Sequence, residues 1–135
     1  MKKTIITVLL ALAALLVAGC DKEVHTYMPA SEWKQVDEGG FDMRAVLAFS
    51  DRTVEVRGAT SHTSPLFDDL FDYFMNDRGD EMEIYYYEEV YDGDTWNTER
   101  VAYRFDVAMA DAGRMMTLVY YPGFGQQRVM RFRRM

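Results

Sequence analysis

The chain has 135 residues, 49% of them hydrophobic and 14% aromatic, with 15 basic against 22 acidic side chains and a formal net charge of −7. An acidic chain without a basic stripe is repelled by a phosphate backbone, which argues against nucleic-acid binding. One cysteine, Cys20, and two histidines 37 positions apart, His25 and His62, provide neither an internal disulfide nor the ligand spacing of a zinc site.

At the N-terminus, Lys2 and Lys3 precede an apolar run from Ile5 to Val17 broken only by Thr7. The run is short for a bilayer crossing and leads into Val17-Ala18-Gly19-Cys20, the small-residue end of a secretory signal. These residues resemble the lipobox of bacterial type II signal peptides. The resemblance covers residues 1–20 and implies cleavage after Gly19, a diacylglycerol on the Cys20 thiol, and usually acylation of the new amine. Cys20 is then the lipid attachment residue, and its covalent lipid takes the place of any cofactor. Each buried CH₂ contributes ~0.8 kcal/mol, so several acyl chains make a durable anchor.

Asp21-Lys22-Glu23 and the stretch from His25 to Pro29 lack apolar periodicity, so residues 20–30 read as a lipidated tether. A cysteine followed closely by lysine and acids is similar to the surface-export signal of Bacteroidota-type lipoproteins. An aspartate directly after the cysteine is also similar to the inner-membrane retention signal of enteric bacteria. The expected location is the cell envelope, on the outer membrane or cell surface, with the inner membrane as the alternative.

Loss of 19 residues, two lysines among them, leaves 116 residues with a net charge of −9, enough for one small domain over 31–135. Residues 68–99 hold twelve acids against Arg78 alone, whereas 112–135 hold five arginines and no acid. The plainer expectation is that these halves are neighbours that neutralise each other; the alternative is a polarised docking face.

Within the domain, Phe41, Met43, Ala45, Leu47 and Phe49 alternate with Asp42 and Arg44, Ser50-Asp51-Arg52 turns the chain, and Val54 and Val56 follow, which predicts a hairpin. Ser64-Pro65 offers a helix cap and first residue, and Leu66, Phe67, Leu70, Phe71, Phe74 and Met75 share a helical face. Asp68, Asp69 and Asp72 suit the start of a helix dipole and Gly79 its end, so 65–78 is predicted helical. Four strands follow at 82–91, 98–109, 115–121 and 128–134, separated by Asp92-Gly93-Asp94, Asp111-Ala112-Gly113 and Pro122-Gly123-Phe124-Gly125. Val101, Tyr103, Phe105, Val107 and Met109 form the cleanest alternating stripe, expected near the centre of the sheet. The fold class is mainly β: a curved antiparallel meander or small barrel of about six strands, with one helix inserted after the second.

Trp33 precedes a strand ending Leu47-Ala48-Phe49-Ser50, and the closing strand carries Arg131, Arg133 and Arg134. This pattern resembles the lipocalin-like domains of small Bacteroidota lipoproteins, whose barrels commonly pack an early tryptophan against a late arginine. Ser31 stands where that family carries glycine, and the predicted helix interrupts its meander. The resemblance implies a barrel that binds a small apolar or sugar ligand.

Catalytic and metal motifs have plainer explanations. Asp68-Asp69-Leu70-Phe71-Asp72 is similar to the aspartate-rich Mg²⁺ motif of terpene synthases, which need a large helical shell; a solvated helix start accounts for it. Asp92-Gly93-Asp94 begins like a calcium loop, but Trp96 stands where an oxygen ligand is needed, so a hairpin turn accounts for it better. Arg78-Gly79-Asp80 matches an integrin-ligand tripeptide, a length common by chance. No nucleophile elbow, His-Glu-x-x-His helix or phosphate loop is present, and Glu88 and Glu89, adjacent on a strand, point to opposite faces. The expectation is a protein that is not an enzyme and binds no metal.

Tyr85, Tyr87 and Tyr91 fall on one face of the strand, with Tyr86, Met82, Ile84 and Val90 on the other. Together with Trp96, the tyrosine face is the candidate binding face, suited to sugar rings or a protein partner; ordinary cross-strand packing is the plain alternative. The expected function is a membrane-anchored envelope lipoprotein that binds a small ligand. The alternatives are an accessory or inhibitory subunit that binds an envelope protein, and a structural component of the envelope.

Overall fold

The structure is a computed structural model that describes residues 25–135. The signal segment 1–19, the lipid attachment residue Cys20 and the tether as far as residue 24 lie outside the described residues.

Eight antiparallel strands follow one another around a closed barrel: β1 (Ser31–Val36), β2 (Asp42–Ser50), β3 (Thr53–Arg57), β4 (Asp69–Met75), β5 (Glu81–Tyr91), β6 (Trp96–Ala110), β7 (Met115–Gly123) and β8 (Gln126–Arg134). Closure comes from β1 against β8, with Trp33 opposite Arg134 and Val36 opposite Arg131. A closed barrel leaves its strands no edge and no centre, so β6 is not central; it is the longest strand. Every second residue points inward, and Trp33, Leu47, Phe71, Tyr73, Phe105 and Phe132 are among the large side chains buried in the interior.

The helix expected over 65–78 is instead a loop followed by β4, and the strand count is eight rather than about six. Among the described residues there is no helix. The apolar spacing of this segment satisfies both periods: Leu66, Phe67, Leu70, Phe71, Phe74 and Met75 fit 3.6, while Phe71, Tyr73 and Met75 fit 2 and point inward. As a strand, the segment bonds to β3 through Thr53–Val56 and to β5 through Met82–Tyr85, and the two ladders decide the matter. Ser64-Pro65 is a cis peptide in the β3–β4 loop, Asp68 accepts the Ala59 N–H at 2.7 Å, and Gly79 sits in the β4–β5 turn with φ 71°. β1, with Trp33 and Val36 as its large apolar side chains, lacks the alternation that marks a strand in sequence.

Strand polarity sorts the loops into two ends. At one lie the β2–β3, β4–β5 and β6–β7 turns and the chain entering β1; at the other lie the β1–β2 turn, the β3–β4 loop and the β5–β6 and β7–β8 turns. The second end is covered in part by the β3–β4 loop. Its Leu66 joins the core, and its Thr63 hydroxyl donates to Gln35 Oε1 at 3.0 Å while Gln35 Nε2 donates to the His62 carbonyl.

Residues 25–28, within the stretch read as tether, cross the first end. Thr26 and Met75 exchange backbone hydrogen bonds of 2.9 Å each, and Met28 is buried in the core with its N–H donating to the Tyr73 hydroxyl at 2.8 Å.

Candidate functional site

Beyond Tyr85, β5 has no partner in β4, and before Phe105, β6 has none in β7, yet the two strands stay paired to Tyr91 and Trp96. A two-stranded ribbon therefore projects past the barrel. Its turn is held by one carboxylate: Asp92 Oδ1 accepts the backbone N–H groups of Asp94 and Thr95, each at 2.9 Å, and Oδ2 accepts Asn97 Nδ2. These donors keep the Asp92 carboxyl below its ordinary range, the Thr95 N–H first among them. Tyr91 donates its hydroxyl to the Gly93 carbonyl at 3.0 Å. A bare hairpin is marginal in water, and these bonds, with the long ladder behind them, define its shape.

The structure brings together all four residues of the expected binding face. Tyr85, Tyr87 and Tyr91 lie on the outer face of β5, and Trp96 joins them as the cross-strand partner of Tyr91. They form two pairs. Tyr85 and Tyr87 meet edge to face with centroids 6.0 Å apart, and Tyr91 and Trp96 meet at 5.3 Å. Between the pairs, Thr98 donates its hydroxyl to Glu89. Tyr87, Tyr91 and Trp96 are each more than half exposed, whereas Tyr85 is half-buried. Ordinary packing therefore accounts for Tyr85 but leaves the rings nearer the tip uncovered.

Several neighbours went unnoticed in the sequence. The Arg100 guanidinium sits 4.2 Å from the Tyr85 ring centroid, a cation–π contact. Arg100 and Arg104 both hold Glu83, whose side chain is buried on the outside of the barrel; Arg104 Nε donates to Glu83 at 3.0 Å. Burial pushes the Glu83 carboxyl up, but the hydrogen bonds and charges of the two arginines outweigh it and leave it below its ordinary value. Phe74, 6.0 Å from Tyr85 and stacked on His25 at 3.9 Å, extends the aromatic row onto β4. Beside it lies a cleft of ≈ 140 Å³ lined by Phe74, Glu83, Arg104, Asp106 and Tyr121. The hairpin turn held the signal for Arg100: with Tyr91 opposite Trp96, counting back along both strands puts Tyr87 opposite Arg100.

The inner face of the same strands is a second aromatic cluster. Tyr86, Tyr103 and Tyr120 pack on the core at the ribbon end, with centroids 6.4 Å and 6.1 Å apart, and Phe67 of the β3–β4 loop meets Tyr86 at 5.4 Å. Burial and a hydrogen bond with Tyr86 raise the Tyr103 hydroxyl to about 12.

The charge halves do not neutralise each other directly. Among the described residues, the ion pairs of the acidic segment are Arg100 and Arg104 with Glu83 and Arg78 with Asp80, while Arg133 pairs with Asp42 of β2. β4 and β8 lie across the barrel from each other, which sets the aspartates of β4 apart from the arginines of the closing strand. Among the described residues no group of three His, Cys, Asp or Glu side chains is placed to hold a metal.

No family model matches the chain, and no curated protein or solved structure matches it.

Proposed function

We propose that this chain is a lipid-anchored lipoprotein of the bacterial cell envelope, whose barrel is a rigid base and whose β5–β6 ribbon binds a protein partner. The observation that carries this reading is the ribbon itself, which runs past the barrel with Tyr87, Tyr91 and Trp96 uncovered on one face. Rigid aromatic side chains bury large areas at little entropic cost, and they are enriched where proteins meet. Glu89 shares their face and Asp92 and Asp94 lie in the turn beside them, so the fitting partner presents a basic surface. Adding to a free ribbon edge, an extended segment of that partner would gain main-chain hydrogen bonds as well. The anchor follows from the lipobox resemblance at Cys20.

The test places a photo-reactive side chain at Tyr91 of the full-length lipoprotein in intact cells, with Asp51 in the β2–β3 turn as the control position. The expected result is one discrete adduct from position 91 and none from 51, lost when Tyr87→Ser and Trp96→Ser are added. No adduct at 91, or equal adducts at both positions, refutes the reading. In a parallel Cys20→Ala control, the protein is expected to leave the membrane fraction.

A second reading is favoured by Tyr86, Tyr103 and Tyr120. An eight-stranded up-and-down barrel is the architecture of lipocalins, in keeping with the resemblance drawn from Trp33 and the late arginines. The deep interior is filled by Trp33, Phe71, Tyr73 and Phe105, so a ligand of this barrel would rest on the tyrosines at its mouth. A sugar or small apolar ring is the matching chemistry. Saturable quenching of tyrosine fluorescence that disappears in Tyr103→Ala supports it; a flat titration across sugars and apolar ligands sinks it.

A further inference from the structure

We propose that His25 to Met28 form a strap that orients the barrel on the membrane, with the end bearing the β2–β3, β4–β5 and β6–β7 turns toward the lipid and the ribbon pointing away. This rests on the lipid-anchored reading of Cys20. The strap is joined to the barrel at several points. Thr26 and Met75 form a backbone bridge, the Thr26 hydroxyl donates to the Asn76 carbonyl at 2.8 Å, Met28 is buried with its N–H on Tyr73, and the His25 ring stacks on Phe74. A chain bonded at successive residues cannot swivel about the barrel as a flexible linker does.

Covalent reach sets the orientation. Five residue steps separate Cys20 from His25 and span at most about 18 Å when fully extended. Met75 pairs with Met82 at one end of β5, and Tyr91 lies nine residues further on, about 30 Å away at strand rise. A barrel standing with its ribbon tip on the bilayer would lift His25 beyond the reach of its own tether. An upright barrel keeps the anchor within reach and the tip clear.

Charge placement agrees with this independently. Each turn at the strap end carries one arginine: Arg52 in β2–β3, Arg78 in β4–β5 and Arg114 in β6–β7. Asp51, Asp77, Asp80 and Asp111 accompany them, so that end is mixed in sign. The turns and loop at the ribbon end hold Asp37, Glu38, Asp68, Asp92 and Asp94 and no lysine or arginine. An anionic lipid surface tolerates the first end and repels the second. The surface proposed to bind a partner is thus presented outward.

The test uses the full-length acylated protein in vesicles of phosphatidylethanolamine and phosphatidylglycerol carrying an acceptor-labelled lipid. A donor dye is attached at Asp77→Cys or, separately, at Asp94→Cys, since the diacylglycerol on its sulfur leaves Cys20 without a thiol. Energy transfer to the lipid is expected to be at least twofold more efficient from position 77 than from 94. Thr26→Pro, which removes the N–H bonded to Met75, is expected to bring the two values together. Equal transfer in the unaltered strap, or greater transfer from 94, overturns the orientation. Failure of the protein to float with the vesicles overturns the anchor and the orientation with it, whereas a floating protein with equal transfer overturns the orientation alone.

Discussion

Tyr91 and Trp96 face each other across the last rung of the β5–β6 ladder, their rings 5.3 Å apart and exposed by 54% and 67%. An exposed aromatic pair contributes about 1 kcal/mol. Tyr91→Ser with Trp96→Ser should therefore lower the stability of the domain by about that amount, read from the urea midpoint, while abolishing the partner adduct formed from a probe placed at Glu89. A stability loss several times larger would make the pair a structural clasp.

Glu83 is buried between two arginines, one of which, Arg104, is largely exposed. Water screens part of the interaction, so Glu83→Gln should cost about 1–2 kcal/mol at neutral pH. The folded carboxyl titrates below its ordinary value of 4.5, so its contribution is present above that pH and is lost as the pH falls through the folded value. The gap between wild type and variant, measured by urea unfolding, should close below pH 4.5. A gap constant with pH would show that the charge plays no part.

Tyr103 should be among the last tyrosines to ionise. Its hydroxyl titrates at about 12, raised by burial and by the bond to Tyr86. A group whose folded value is raised supports the fold fully below its unfolded value of 10 and loses that support as the pH rises toward 12. In an alkaline titration of tyrosinate absorbance, Tyr103→Phe should remove a step near pH 12. If that step stays, the assignment fails.

Tyr73→Phe keeps the ring in the core and deletes the oxygen that accepts the Met28 N–H. A buried donor without its acceptor costs about 1–3 kcal/mol. The strap should loosen, and hydrogen exchange at Thr26 and Met28 should accelerate at least tenfold while the amides of β7 stay protected. Uniform acceleration would mean that the ring holds the whole barrel and not the strap alone.

Much of this protein is legible in short windows of sequence. Alternation over Met43–Phe49 and Val101–Val107 identified strands and their inward faces, although Phe41 and Met109, at the ends of the same stripes, are exposed, and Asp92-Gly93-Asp94 marked the turn that sets the ribbon register. Tyr85, Tyr87, Tyr91 and Trp96 could be assigned to one face because side chains alternate along a strand and partners across a ladder share a side. The segment from Leu66 to Met75 reads as a helix and is not one, because its apolar residues satisfy two periods at once and Ser64-Pro65 with the following aspartates tilts the local reading toward the helical one.

Tertiary structure decided what depends on distant partners. Residues 69–75 are a strand because β3 and β5 bond to both sides of them, and Trp33 lies on a strand because Arg134, at the other end of the chain, closes the barrel beside it. The strap exists only because Met75 and Tyr73 lie where the incoming chain crosses the barrel end. Side-chain periodicity is local and can be read along the chain. Backbone hydrogen bonds between residues about a hundred positions apart form only when the whole chain has folded, and they determine strand number, closure and the direction in which the ribbon points.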